Sequence, residues 1–267
     1  MIRYWKDKLG WGWRSNLMKE RWFYFVTLQN WRAVTRTRLY REPLSEFVFR
    51  GNTRVRFEGL PPLQILNEVW RAKHYTPPES TDLYPQTVVD IGANIGLFTL
   101  FAARQWRNAT ILAFEPEPRN FVQLQENVRL SNVTNVSCHR AAISSRTGSE
   151  TLYIKQEAGW HSFFGDDLSG TLTVETLSLR DLLQRFELKT IDFLKMDCEG
   201  AEFLILPGQE DLLANYVRFI AMEYHEISGH RVQELELPLR RAGMTVRIIP
   251  QPRWSTGMLY AKNPNLK

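Results

Sequence analysis

The fold can be read from nine consecutive residues, Val88-Val89-Asp90-Ile91-Gly92-Ala93-Asn94-Ile95-Gly96. The apolar start of this run predicts a buried strand over 87–91, and a helix is predicted over 96–105. Between them lies a turn with two glycines four residues apart, and a glycine lets the backbone turn sharply because it has no Cβ. The helix that follows has unpaired N–H groups at its start, which can receive an anion.

The same alternation of strand and helix continues along the chain. Further strands are predicted at 110–114, within 133–143, and at 191–196, 217–222, 244–249 and 257–261; further helices are predicted at 118–130, 177–186 and 231–242. Two alternating stretches, 150–155 and 171–176, interrupt this order. Apolar strands that alternate with helices indicate a mostly parallel sheet with helices on both faces, and therefore an α/β fold.

The residues before this region follow a different pattern. Residues 43–59 alternate loosely around a Gly-Asn pair and predict a β-hairpin, and apolar spacing over 63–74 predicts a helix. Prolines then interrupt the pattern as far as Pro85. We therefore divide the chain into an N-terminal extension, 1–85, and a main domain, 86–267.

Composition excludes several classes of protein. The 267 residues are 43% hydrophobic and 24% charged, which excludes a collagen-like, coiled-coil or wholly disordered chain. Two cysteines are too few for a disulfide scaffold or a four-cysteine zinc site. The sequence has neither an apolar run of membrane-spanning length nor the pattern of a signal peptide. We expect the protein to stay in the cytoplasm.

The positive charge lies at the start of the chain. Residues 1–41 contain ten Lys or Arg, two acidic residues and ten aromatic residues, and so carry +8, whereas the whole chain has a net charge of +5. This composition predicts an amphipathic helix that packs on the main domain and exposes its charges. The alternatives are contact with an anionic membrane surface, which would make the protein peripheral at the membrane, or with a glycan, a nucleic acid or another partner.

An acidic residue suggests which ligand the glycine turn receives. Glu115 ends the second predicted strand, 19 residues after Gly96, where a carboxylate commonly binds ribose hydroxyls. Asn94 stands where dinucleotide-binding turns have a second glycine, which disfavours a pyrophosphate. A cofactor with an amino-acid tail fits better, and S-adenosylmethionine has one. Asp90 could serve its ammonium group, directly or through the loop.

A second cluster of acids follows the strand at 191–196. The residues are Asp197-Cys198-Glu199-Gly200-Ala201-Glu202, with three acids in six positions. Asp197 could hold the cofactor amine, orient a substrate hydroxyl or bind a divalent cation. Glu199 and Glu202 are predicted in the first turn of the next helix, where they complement its dipole. Cys198 is predicted to be a small buried side chain rather than a nucleophile.

The strand at 217–222 is followed by Glu223 and His225. Residues two apart in a strand share a face, so both should stand beside Asp197. A histidine there could act as a general base near neutral pH. Alternatively, Asp197, Glu223 and His225 could bind a divalent metal ion, or His225 could simply end the strand.

These motifs together resemble the FkbM-type S-adenosylmethionine-dependent methyltransferases. The resemblance rests on five blocks in order: 90–96, 114–118 with Leu124 and Asn127, 142–144 with Gly148, 195–202, and Glu223 with His225. It implies a Rossmann-like class I methyltransferase fold, whose seven-stranded sheet has one antiparallel strand. It also implies methyl transfer, usually to oxygen, often on sugars or small secondary metabolites.

By position, the resemblance places 92–96 at the methionine part of the cofactor, Glu115 at the ribose, Ala141 and Ala142 at the adenine edge, and Asp197 beside the methyl group. The predicted cofactor contacts are Asp90, Gly92, Ala93, Asn94, Gly96, Glu115, Pro116, Ala141, Ala142 and Asp197. The predicted catalytic residues are Asp197, Glu223 and His225.

The expected acceptor is a small molecule or a glycan. The loop 156–170, with Trp160, His161, Phe163 and Phe164, is predicted to cover the acceptor or to pack in the core. A nucleic-acid methyltransferase would explain the basic N terminus, but the motif after the fourth strand is Asp-Cys-Glu-Gly, without the Asn/Asp-Pro-Pro-aromatic block of base-amine methyltransferases. The sequence is also compatible with a non-catalytic binding module or a dehydrogenase.

Overall fold

The computed structural model describes residues 16–154, 161–162, 170–251 and 255–266. Two helices open the described chain: α1, over 16–27, and α2 (Trp31–Tyr40). The predicted hairpin is confirmed as β1 (Glu46–Val48) and β2 (Arg54–Arg56), which pair antiparallel. The predicted helix at 63–74 is confirmed as α3 (Leu63–Leu66), which continues into a wider π-helical segment (Asn67–Ala72), and a short 3₁₀ turn (Pro78–Ser80) follows.

The remaining elements follow the predicted alternation of strand and helix. In chain order they are β3 (Thr87–Ile91), α4 (Leu97–Gln105), β4 (Thr110–Phe114), α5 (Pro118–Leu130), β5 (Val136–His139), β6 (Ala142–Ser144), β7 (Gly148–Ile154), β8 (His161–Ser162), β9 (Gly170–Ser178), α6 (Leu179–Arg185), β10 (Phe193–Met196), α7 (Glu202–Ile205), α8 (Glu210–Tyr216), β11 (Phe219–His225), α9 (Val232–Arg241), β12 (Thr245–Pro250) and β13 (Thr256–Lys262).

Seven strands form the central sheet, in the order β12-β13-β11-β10-β3-β4-β5. All run parallel except β13, which is antiparallel to both of its neighbours. Strand β3 lies in the middle, and its Val89 sits between Leu194 and Leu112 of the adjacent strands. The predicted α/β class and the class I methyltransferase architecture are therefore confirmed. Parallel strands of this kind bring their carboxyl ends, and the loops that follow them, to one edge.

A second sheet of four strands, β6-β9-β7-β8, lies outside the central one. The two alternating stretches predicted around 150 and 171 pair antiparallel in it as β7 and β9. The region 133–143, in which one strand was predicted, contains two strands that belong to different sheets. The chain leaves the central sheet after His139 and enters the second sheet at Ala142. Most of the predicted covering loop, including Trp160, Phe163 and Phe164, lies outside the described residues, as does the side chain of His161.

The N-terminal extension packs directly on the central domain. Tyr24 of α1, Phe47 of β1 and Phe49 share one buried apolar cluster with Leu97 and Leu100 of α4. Burial of each such side chain contributes about 1.5–3 kcal/mol, so the extension is held by its own core contacts. The division of the chain at residue 85 stays a prediction. Over the residues described, no helix is both long enough and apolar enough to span a bilayer.

Candidate active site

A cavity of about 460 Å³ lies at the carboxyl ends of β3, β4, β10 and β11. Its size is within the range of about 300–1,000 Å³ that is usual for small-molecule sites. One wall is built from the loops that follow these strands. The other wall comes from the N-terminal extension, through residues 60–65, Glu68 and Tyr75.

Gly92 allows two of these loops to touch. Its φ of +71° is a left-handed conformation, and a Cβ on it would lie 1.9 Å from the backbone oxygen of Asp197. The N–H groups of Gly92 and Ala93 both donate to the carbonyl of Phe114, at 3.0 and 2.9 Å. A larger residue would therefore force the loop after β3 away from the loop after β10, and both loops line the cavity.

Asp90 lies behind the cavity wall and does not line it. Its carboxylate is fully buried, accepts a hydrogen bond from the Thr99 hydroxyl at 2.6 Å and pairs with the Lys195 ammonium at 3.1 Å. Lys195 also donates to the carbonyl of Gly92 at 2.8 Å. Asp90 therefore reaches the loop only through Lys195, and its predicted role toward the cofactor's ammonium group stays a prediction.

Glu115 is buried at the end of β4 and holds the turn that faces it. One carboxylate oxygen accepts from the N–H of Asn94 at 2.8 Å, and the other accepts from the N–H of Glu117 at 2.9 Å. Burial raises the pKa of Glu115 to about 7, although these two N–H groups act in the opposite direction. The group therefore titrates near neutral pH in the protein without ligand.

Eight of the ten predicted cofactor residues line the cavity: Gly92, Ala93, Asn94, Glu115, Pro116, Ala141, Ala142 and Asp197. Asp90 and Gly96 are the other two. Gly96 has a φ of +94° and starts α4, so its contribution is to the shape of the turn. Asn94 also adopts a positive φ, and its side-chain oxygen accepts from the N–H of Ile95 at 2.7 Å.

Tyr75 connects two of the predicted catalytic acids. Its buried hydroxyl lies 2.8 Å from Asp197 and 3.1 Å from Glu223. A single O–H cannot donate to both carboxylates at once, so a proton held by Glu223 completes the arrangement. Burial, together with the nearby charge of Asp197, raises the pKa of Glu223. No sequence pattern pointed to Tyr75, because it lies in the extension, more than a hundred residues from its partners.

His225 faces two other acids. Its Nε2 lies 3.6 Å from Glu199 and its Nδ1 lies 3.7 Å from Glu202. Burial alone would lower the pKa of His225, but the nearby carboxylates of Glu202, Glu199 and Asp197 raise it to about 10. The raised pKa favours the protonated ring at neutral pH, whereas a general base acts from the neutral ring.

The comparison with known proteins agrees with this geometry. The sequence model of the methyltransferase FkbM domain matches residues 90–244, which is more than half of the chain. The chain belongs to the FkbM methyltransferase family. The match includes the glycine turn, Glu115, Asp197, Glu223 and His225, whereas Tyr75 lies before it.

Several curated methyltransferases are similar in sequence to this chain. The chain is 29% identical over 189 residues to "Methyltransferase 1" of Beauveria bassiana, covering 63% of this chain and 75% of that protein. It is 29% identical to "31-O-demethyl-FK506 methyltransferase FkbM" of Streptomyces tacrolimicus, covering 62% and 75%. It is also 29% identical to "2-O-methyltransferase NoeI" of Sinorhizobium fredii, covering 57% and 68%.

The acids after β10 occupy positions different from those predicted for them. In this FkbM methyltransferase, α7 begins at Glu202, so Glu199 lies in the turn before the helix, with a φ of +53°, and not in its first turn. Glu202 does lie in the first turn, where it is fully buried and accepts from the N–H of Cys198 at 2.9 Å. Burial and Glu202 raise the pKa of the Cys198 thiol well above its usual range, which fits the prediction that it is not a nucleophile.

Divalent-metal ligands are available in this FkbM methyltransferase. Among the described residues, Asp197, Glu199 and His225 can each offer a ligand atom within 4.8 Å of the others. Glu199 thus takes the place that we predicted for Glu223. A protonated imidazole cannot coordinate a metal, so binding would have to displace a proton from His225. Metal binding stays a prediction.

Proposed function

We propose that this FkbM methyltransferase uses S-adenosylmethionine and transfers its methyl group to a hydroxyl oxygen of a sugar, a glycan or a small secondary metabolite. The observation that carries this proposal is the contact between the glycine turn and Glu115. The turn lines the cavity where an amino-acid tail can lie, and a buried carboxylate stands one strand away for the ribose diol. The names of the relatives support oxygen as the acceptor atom, because two of them are described as acting at a numbered oxygen.

The chain would hold the cofactor across the carboxyl ends of β3 and β4. Its amino-acid tail would contact 92–94, its ribose Glu115, and its adenine the edge at Ala141 and Ala142. Asp197 follows the neighbouring strand, β10, so its carboxylate would lie near the sulfonium end. A sulfonium is an activated methyl donor, and the chain's own task is to align the acceptor, exclude water and remove a proton.

The carboxylate of Asp197 is the proposed proton acceptor. A sugar hydroxyl is a weak acid and needs a base when its oxygen attacks the methyl group. Asp197 accepts from the Tyr75 hydroxyl, and Tyr75 connects it to Glu223. Burial raises the pKa of Glu223, so Glu223 holds a proton and would help to position Tyr75 and Asp197. The positive charge that we assign to His225 removes it from this step and gives it a role in holding Glu199 and Glu202.

The charges around the cavity favour a neutral acceptor. The acids Glu68, Asp197 and Glu199 line it together with a protonated Glu223, against one imidazole, that of His225, while the Lys195 ammonium is engaged by Asp90. A polyanion such as RNA would be repelled there, which disfavours a nucleic-acid acceptor despite the basic N-terminal segment.

The test is a transfer assay on material that contains the natural acceptor. Purified protein and isotopically methyl-labelled S-adenosylmethionine are incubated with the metabolite and glycan fractions of cells that lack the gene. We expect label in a single class of hydroxylated compound, which gains the mass of one CH₂. Parallel reactions with EDTA, and with EDTA followed by Mn²⁺, decide whether the acids beside His225 need a cation. Label in RNA instead, or heat of binding from NAD and none from S-adenosylhomocysteine, would overturn the proposal.

The affinity for S-adenosylhomocysteine should depend on the charge of Glu115. Ribose hydroxyls donate to the ionised carboxylate, so ligand binding favours loss of the proton that Glu115 holds below about pH 7. The dissociation constant should rise as the pH falls from about 8 to about 6, by at most about tenfold per pH unit below the pKa. Calorimetry in two buffers of different ionisation enthalpy measures both the affinity and the proton release.

The matched control is Glu115→Gln, which keeps the size of the side chain and cannot titrate. It should bind S-adenosylhomocysteine more weakly at about pH 8 and lose most of the pH dependence. A steep pH dependence that persists in this variant would remove Glu115 from the cofactor site.

A further inference from the structure

The outer face of α1 carries an apolar stripe that the fold leaves exposed. Met18, Trp22, Phe25 and Val26 follow the spacing of one helix face and are 66%, 65%, 42% and 45% exposed. The rings of Trp22 and Phe25 lie 5.5 Å apart, and Phe25 meets Trp31 edge-on at 5.4 Å. Large apolar side chains that cluster on a surface usually mark a contact with something outside the molecule.

The opposite face of α1 is fixed to the protein. Tyr24 is buried, and its hydroxyl donates to the Glu20 carboxylate at 2.7 Å. Glu20 also accepts from the Asn67 amide at 2.9 Å, which ties α1 to the helical segment that lines the cavity. A buried polar network of this kind holds the helix in one rotation. The apolar stripe therefore stays on the outside when α1 packs.

Basic side chains surround this stripe. Lys19 and Arg21 flank it on the two sides of α1, and both are exposed. Arg32 lies over the Trp31 ring at 5.4 Å, and Arg50 lies over the Phe25 ring at 5.9 Å. Residues 16–41 hold six Lys or Arg against one acid, Glu20, which is buried on the inner face. The surface around the stripe thus combines apolar side chains with positive charge.

We propose that this face of α1 docks on an anionic lipid surface. An exposed apolar stripe with Trp and Phe, bordered by Lys and Arg, is the composition of a helix that lies in the membrane interface. The aromatic rings and Met18 enter the boundary between headgroups and acyl chains, and the basic side chains pair with anionic headgroups. A second copy of the same face would bring like charges together, and a nucleic acid would offer no partner to Met18 or Val26.

Vesicle co-sedimentation of the full-length protein tests this proposal without cofactor or acceptor, so its result is independent of the proposed methyl transfer. The probes are vesicles of phosphatidylcholine alone and of phosphatidylcholine mixed with phosphatidylglycerol. We expect binding to the anionic vesicles, and weaker binding when NaCl rises from about 0.1 M to about 0.5 M. Trp22→Ser/Phe25→Ser should lower the partition coefficient at least about tenfold. Lys19→Gln/Arg21→Gln should lower it about tenfold as well.

The matched control is Val122→Ser/Leu237→Ser, which removes two apolar side chains that are 64% and 50% exposed on other helices. It should bind vesicles as the unchanged protein does. Thermal unfolding of every variant checks that the fold is kept. Absence of binding to anionic vesicles, or equal loss in the control and in Trp22→Ser/Phe25→Ser, would overturn the proposal. So would a dimer in solution that Trp22→Ser/Phe25→Ser dissociates while no protein enters the vesicle pellet.

Discussion

Replacement of Asp197 by asparagine is expected to lower methyl transfer about 10²- to 10⁴-fold while the protein stays folded. Asparagine has almost the same shape, and its side-chain oxygen still accepts from the Tyr75 hydroxyl, which lies 2.8 Å from the Asp197 carboxylate. The change removes a negative charge near the sulfonium and a group that can take up the acceptor's proton. Initial rates on the labelled acceptor fraction measure the loss.

The affinity for S-adenosylhomocysteine separates this effect from a general loss of binding. This product is a neutral thioether, so Asp197→Asn should change its dissociation constant by only a few-fold. The matched control is Asp192→Asn, at the other end of β10, where the carboxylate accepts from the N–H groups of Gln86 and Thr87 at 2.8 and 3.0 Å. That variant should keep full turnover. Full turnover in Asp197→Asn would exclude Asp197 from the chemistry.

Replacement of Lys195 by methionine is expected to lower the free energy of unfolding by about 3–5 kcal/mol. The Lys195 ammonium is buried, pairs with Asp90 at 3.1 Å and donates to the Gly92 carbonyl at 2.8 Å. Burial alone would lower the pKa of Lys195, but Asp90 and Asp197 raise it, so the charge is kept. Methionine fills much of the same volume and leaves Asp90 as a buried carboxylate without its partner. Urea unfolding followed by circular dichroism measures the change.

A double variant tests whether the unpaired charge is the cause. Asp90→Asn/Lys195→Met removes both charges and should recover a large part of the stability that Lys195→Met loses. Lys189→Met, at an exposed position, should change stability by less than about 0.5 kcal/mol. If the double variant were less stable than Lys195→Met, the pair of charges would not be what stabilises the loop.

The sequence was enough to predict the central sheet and the cavity wall that is built from the loops after its strands. The bounds predicted for strand β3 agree with the structure. A short apolar run that ends in a glycine turn is typical of a buried strand and too short for a helix. The helix predicted at 177–186 is confirmed as α6 (Leu179–Arg185), and the side chain of Ser178 just before it accepts from the N–H of Asp181. The chain's departure from the central sheet between His139 and Ala142 was missed, because nothing local distinguishes one long strand from two short ones in different sheets.

Local order along the chain determined which groups stand after each strand: Glu115 after β4, Asp197 after β10, and Glu223 and His225 at the end of β11. Parallel strands bring the residues that follow them to one edge of the sheet, however the core packs. The sequence alone was therefore enough to predict that these side chains lie close together. Only the tertiary structure decided their partners and their charges. Tyr75 reaches Asp197 because the extension packs over the edge, and the pKa of His225 is raised because the facing carboxylates outweigh the effect of burial on the ring. These effects depend on distances between residues far apart in the chain, which no local pattern encodes.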